Sequence, residues 1–233
     1  MSKGTVVVAG VVIGAVVVVA GLFVADRVVA STVEKRSVQA IEQNLDGVVG
    51  TPTVDIGGFP VLTQVLAGSL DEVTGQVDGV TLEGIKATDV TIDATNVTTS
   101  TPYTAGTATI SATLPTASIN TIVADQTQLE IAVSVDGNAL RATGKVLGVT
   151  LSANLVPRVQ DGLLLVDVQN IAVGGLSVSV DSLPASIGNR LNDIEVPVGG
   201  LPEGLVLQQA TVVADGVRIT ASGTDVVIPT TTP

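Results

Sequence analysis

From Val90 to Ile228 the chain is written largely in alternation. Val90, Ile92 and Ala94 are interleaved with Asp89, Thr91, Asp93 and Thr95. Leu129, Ile131, Val133 and Val135 alternate strictly, Leu140, Ala142, Gly144 and Val146 return, and Val149, Leu151, Ala153 and Leu155 come after Gly148. A period of two gives a strand one apolar face and leaves the other to water. Asp136-Gly137-Asn138, Asp161-Gly162 and Asp215-Gly216 stand between such runs, and Asp78-Gly79 reads as a fourth turn. Connections this short join antiparallel neighbours, because a parallel pair needs a crossover of a dozen residues or more. About ten strands are expected, with no sharp internal repeat. One apolar face per strand needs covering. Either the sheet closes as a filled barrel or sandwich, or it curls around a long helix.

Three short helices punctuate this text. The first comes after Ile56-Gly57-Gly58-Phe59-Pro60, where a strand ends at two glycines and proline suits a first helical turn. Val61, Leu62, Val65 and Leu66 then share a face, and Gly68 stops the helix. The second opens at Pro115 with Ile119, Ile122 and Val123 on one face, ending at Asp125. The third candidate runs from Pro184 to Ile194 through Ile187 and Leu191.

Ahead of the strands lie two further segments. Thr5 to Ala25 is a 21-residue run without a charge. At 1.5 Å per residue it spans roughly 30 Å, the hydrocarbon thickness of a bilayer. Lys3 before it and Asp26 after it predict residues 1–4 in the cytoplasm and the remainder exported. A cleaved signal peptide is the competing reading, with Val28-Val29-Ala30 as the best cleavage site. From Asp26 to Leu45 the spacing predicts a long helix, its stripe of Val29, Val33, Ile41 and Leu45 packing onto the domain. The domain occupies 26–228, and 229–233 is a tail with nothing to bury.

Composition removes whole function classes. The chain has no cysteine and no histidine, so thiolate chemistry, a Ser–His–Asp triad and the common zinc sets are impossible. A net charge of −12 repels nucleic acid. Asp71-Glu72 and the Asp89/Asp93 pair sit at turn and solvent-facing positions, where carboxylates solvate rather than catalyse. No calcium loop pattern is present. We expect neither an enzyme nor a metal or cofactor site.

Gly-Gly-Phe-Pro-x-Leu-Thr-Gln-x-Leu-Ala-Gly over residues 57–68, with Leu70-Asp71-Glu72-Val73 and Asp78-Gly79-Val80, resembles the opening of the LmeA-like phospholipid-binding proteins, an actinobacterial cell-envelope family. Gly144-Lys145-Val146-Leu147-Gly148 with Asp161-Gly162-Leu163 is similar to that family too. So is Leu201-Pro202-Glu203-Gly204-Leu205 with Asp215-Gly216-Val217 and Gly223-Thr224-Asp225-Val226. The resemblance spans roughly 26–228. It implies an α+β, mostly antiparallel fold of the tubular lipid-binding kind: a strongly curved sheet wrapped around the long N-terminal helix, preceded by one transmembrane helix. It also implies a phospholipid held in an apolar groove on the extracytoplasmic, periplasmic side of the plasma membrane. On that reading the groove is lined by Phe59, Leu62, Val65 and Leu66 with Val29, Val33 and Ile41, and by Ile119, Ile122, Ile187 and Leu191. The alternative is a non-catalytic envelope scaffold that partners a cell-wall or lipoglycan biosynthetic enzyme. Transfer, sensing and presentation of the lipid stay open.

Overall fold

The computed structural model describes Asp26 and residues 29–39, 47–82, 85–126, 131–146, 149–180, 194–196 and 201–228. Helix α1 covers residues 29–39. Then come β1 (Thr53–Gly57), α2 (Val61–Ala67), β2 (Ser69–Leu82), β3 (Ile85–Thr98), β4 (Thr104–Pro115) and α3 (Thr116–Gln126). The second half holds β5 (Ile131–Asp136), β6 (Ala139–Val146), β7 (Val149–Gln160), β8 (Leu163–Val173), β9 (Leu176–Ser179), β10 (Ile194–Val196), β11 (Leu205–Val213) and β12 (Gly216–Val227).

All pairings are antiparallel, as the short connections require. The strands do not form one sheet curled around a helix. They divide into two open six-stranded sheets. The first has the order β1-β2-β3-β4-β12-β11; the second runs β10-β8-β7-β6-β5, with β9 also on β8. The long-range pairing of β4 with β12 makes the division, since it brings the last hairpin back beside the first four strands. Of the long helix, residues 29–39 are described, and they lie against α2, β1 and β2 rather than inside a tube. Thr5–Ala25 falls outside the described residues, within which no helix is long and apolar enough to cross a membrane.

Two other expectations change. Asp78-Gly79 is not a turn: β2 runs through it, and Gly79 lets the backbone of Val49 close a bridge there (Val49 N–H to Gly79 O, 2.8 Å). Ile194 starts strand β10, while the rest of the third helix candidate lies outside the described residues.

The core has two parts. The larger lies between the sheets, where Ala94, Ala105, Ala108, Leu207, Val217 and Ala221 meet Val133, Leu140 and Leu164. Alanines on the first sheet let the second approach closely. The smaller gathers Ala30, Ile56, Val61 and Leu70, with Val29, Val33 and Val65 packed around them. Val97 touches both.

A crease crosses the first sheet near its α2 end. The ladders pair Thr95 with Thr107 and Val97 with Ala105, then Thr107 with Thr224 and Ala105 with Val226. Asn96, Gly106 and Asp225 are therefore skipped side by side on three neighbouring strands. Asn96 and Asp225 both have φ +51, and a Cβ on Gly106 would stand 3.0 Å from the Asn96 Cβ. Each skipped residue shifts the alternation by one, so Ala94 and Val97, Ala105 and Ala108, and Ala221 and Val226 share the core face.

Candidate functional site

Helix α2 is held from three directions. Gly57 stands where a Cβ would run into the Glu72 side chain, and Gly58 has φ +81, so β1 can turn sharply into the helix. Pro60 is extended at the N-cap, with no side chain of its own capping the helix. The free N–H of Leu62 is taken instead by Asp26, whose Oδ1 accepts it at 2.7 Å. Asp26 is 1% exposed, and its Oδ2 has no hydrogen-bond partner. Buried Gln64 donates to Gly57 O at 3.2 Å and accepts from Asp71 N–H at 2.9 Å, tying the strands on either side of the helix. Gly68, at φ 81, closes the helix, and its carbonyl accepts the Thr99 N–H at 3.0 Å.

That last bond joins α2 to the turn around Pro102-Tyr103. Thr98 Oγ1 organises this turn by accepting the Thr104 N–H at 2.8 Å. Tyr103 O in turn accepts from Ile228 N–H at 2.9 Å. One end of the first sheet thus carries α2, the Tyr103 turn and the last residues of β12.

The four α2 candidates separate by helical phase. Val61 is fully buried, and Val65, four residues on, packs beside it. Leu62 is half-buried. Leu66 is 79% exposed and Phe59 58% exposed, with Tyr103 also exposed nearby in the fold. Val29 and Val33 belong to the small core under α2. Ile119 and Ile122 are half-buried on α3, at the far end of the first sheet, so the structure does not bring them to α2. Ile41, Ile187 and Leu191 lie outside the described residues.

Beyond the sequence candidates, the core face of the first sheet has an incompletely covered strip. Val54 pairs with Gly75, Gly75 with Ile92, and Ile92 with Ile110. Val54, Gly75 and Ile92 belong to neither core cluster, while Ile110 packs against the larger one. Gly75 leaves a side-chain gap, and Ile92 is 40% exposed although it shares a face with buried Ala94. A lone glycine in an alternating strand was the available sequence signal for this gap. The opposite face is polar, with a shallow depression lined by Thr53, Asp55, Thr74, Gln76, Thr91 and Asp93 and by Gly75 itself.

The strip and α2 carry no charged group, and the ion pairs Arg141–Asp136 and Arg158–Asp167 lie on the second sheet. Among the described residues no three carboxylates cluster as a metal site. The chemistry on offer is apolar contact.

A profile of the LmeA-like phospholipid-binding family matches residues 24–222. The chain belongs to this family. The match begins two residues before Asp26 and runs through β11 into β12, so α2, the strip and both sheets lie within the family region. Membership in the LmeA-like family marks the chain as one of a binding rather than a catalytic family, with phospholipid binding the function suggested. No curated protein and no solved structure matches the chain.

Proposed function

We propose that this LmeA-like chain is an extracytoplasmic phospholipid-binding protein held at the plasma membrane by residues 5–25, with acyl chains lying along Val54, Gly75 and Ile92 and reaching the α2 end. The observation that carries this reading is the strip itself: an isoleucine 40% exposed on the core face of a sheet, opposite a glycine that fills nothing. Each acyl CH₂ moved out of water onto such a surface gains about 0.8 kcal/mol, so a two-chain lipid can be held without base, nucleophile or metal.

The residues immediately after the uncharged run support a retained anchor. Cleavage after Ala30 would remove Asp26, which caps α2, together with Val29 and Ala30 from the small core. A fold that uses these residues is better served by an uncleaved segment.

The test is native mass spectrometry with lipid extraction on the full chain, released from membranes in detergent. A co-purifying phospholipid near one per chain is expected, and Gly75→Val should abolish it. A clean apo mass, with no uptake from phosphatidylglycerol vesicles, would favour the scaffold reading.

A further inference from the structure

We propose that the α2 end of the domain is a membrane-contact surface, with Leu66 and Phe59 entering the lipid headgroup region of the bilayer. The inference rests on the retained anchor but concerns a different surface from the lipid-holding strip.

Position comes first. The uncharged run ends at Ala25, and the next residue, Asp26, is hydrogen-bonded at 2.7 Å to Leu62 in the first turn of α2. With residues 5–25 as the anchor, no linker would separate the bilayer from this helix. Consecutive Cα atoms are about 3.8 Å apart. From Leu62 to Leu66 the helix rises about 6 Å. The headgroup layer on each side of the hydrocarbon core is itself roughly 5–8 Å deep. Leu66 therefore sits within reach of that layer.

Surface chemistry agrees with position. Leu66 at 79% and Phe59 at 58% are among the most exposed large apolar side chains of the described residues, and Tyr103 is exposed on the adjoining turn. The segments that would make contact are themselves uncharged. In a chain of net −12, residues 56–70 carry no charge, and neither do residues 94–124, which include the Tyr103 turn. An acidic surface facing anionic headgroups would be repelled, and this end combines apolar exposure with neutral segments; the uncharged stretch 168–180 around exposed Leu176 shares that chemistry but lies far from the anchor. Asp71 and Glu72 are exposed beside Gly58 and Gly57, so the nearest carboxylates stand on the Phe59 side of this end.

The chain has no tryptophan, so one introduced tryptophan reports one position. The full chain, as Leu66→Trp or Leu176→Trp, is reconstituted into bilayers of brominated phosphatidylcholine with a minority of phosphatidylglycerol. Leu176 is 77% exposed and serves as the reference at the opposite end of the domain. Its strand partner Val173 lies in one row with Leu151, Gly144 and Ile131, which comes after α3. We expect a blue-shifted emission for Leu66→Trp and about threefold stronger quenching than for Leu176→Trp, as for an interfacial apolar side chain. Phe59→Trp should repeat the result, guarding against a local effect of either substitution. Equal, water-like emission at both ends would overturn the proposal. So would quenching of Leu66→Trp that persists after transfer into unbrominated detergent, because that reports lipid held in the domain and supports only the binding function. Loss of co-purifying lipid with bilayer quenching intact would sink the binding reading and leave the contact surface standing.

Discussion

The two short helices on the first sheet, α2 and α3, are built from similar material and finished in opposite ways. Both come after a proline, both are uncharged apart from Asp125 near the end of α3, and both lie at an end of the sheet. Twelve-residue β4 separates those ends by roughly 35–40 Å. Helix α3 itself is tied to protein. Ser118 donates to Lys86 O at 2.7 Å, Thr116 N–H to Asp215 O at 2.9 Å, and Ile119 and Val123 pack against the main core. Asn120 accepts from Val133 N–H at 2.6 Å and donates to Val133 O at 3.1 Å, standing in for the missing neighbour of edge strand β5. The α2 end buries Val61 and Val65 but turns Leu66 and Phe59 to the outside. Equal hydrophobicity thus has different uses, and of the two helices only α2 leaves large apolar side chains for something beyond the protein to cover.

Substitutions at four positions break or sharpen this contrast. Asn120→Ala should cost the most, about 2 kcal/mol, because both backbone groups of Val133 lose their partner at once. Urea unfolding of the domain checks it, and a loss at α3 without change in lipid content would keep the two ends functionally separate. Asp26→Ala should cost about 1 kcal/mol: the Leu62 N–H is orphaned, while a buried oxygen without a partner is also removed. Asp26→Asn keeps the acceptor and should restore most of that loss. Gly75→Val should leave stability within about 0.5 kcal/mol of the parent, since valine suits strands and a Cβ there meets only ordinary contacts, 3.7 Å to Thr53 O and 4.0 Å to Ile92 Cβ. Lipid bound per chain is the quantity that should fall. Leu66→Ser should change stability least, by under about 0.5 kcal/mol, as expected of an exposed position. A larger cost would mean that Leu66 packs against protein, and the contrast between the ends would fail.

Much of the fold was legible because it is local. Asp136-Gly137-Asn138 and Asp161-Gly162 do join hairpins, with positive φ at Gly137, Asp161 and Gly162, and Gly68 does end α2. The division into two sheets was not legible, since alternation says which face of a strand is apolar but not which distant strand lies beside it. Asp78-Gly79 misled for the same reason: a turn dipeptide and a glycine that admits a distant backbone look alike in text. At the candidate site, helical phase separates Val65 from Leu66, and the sequence carries that phase. It does not carry the burial of Val29 and Val33 under α2, nor Asp26 capping a helix 36 residues further on.

The crease at Asn96, Gly106 and Asp225 bears on which insertions and deletions the chain can absorb. Each of these residues is one extra in its strand, so removing any one restores plain alternation there and leaves its neighbours bulged against it. Removing all three together keeps Val97, Ala105 and Val226 facing the core and every ladder in step. Deleting these three codons, scattered over 130 positions of the gene, should therefore be tolerated as a set and damaging one at a time.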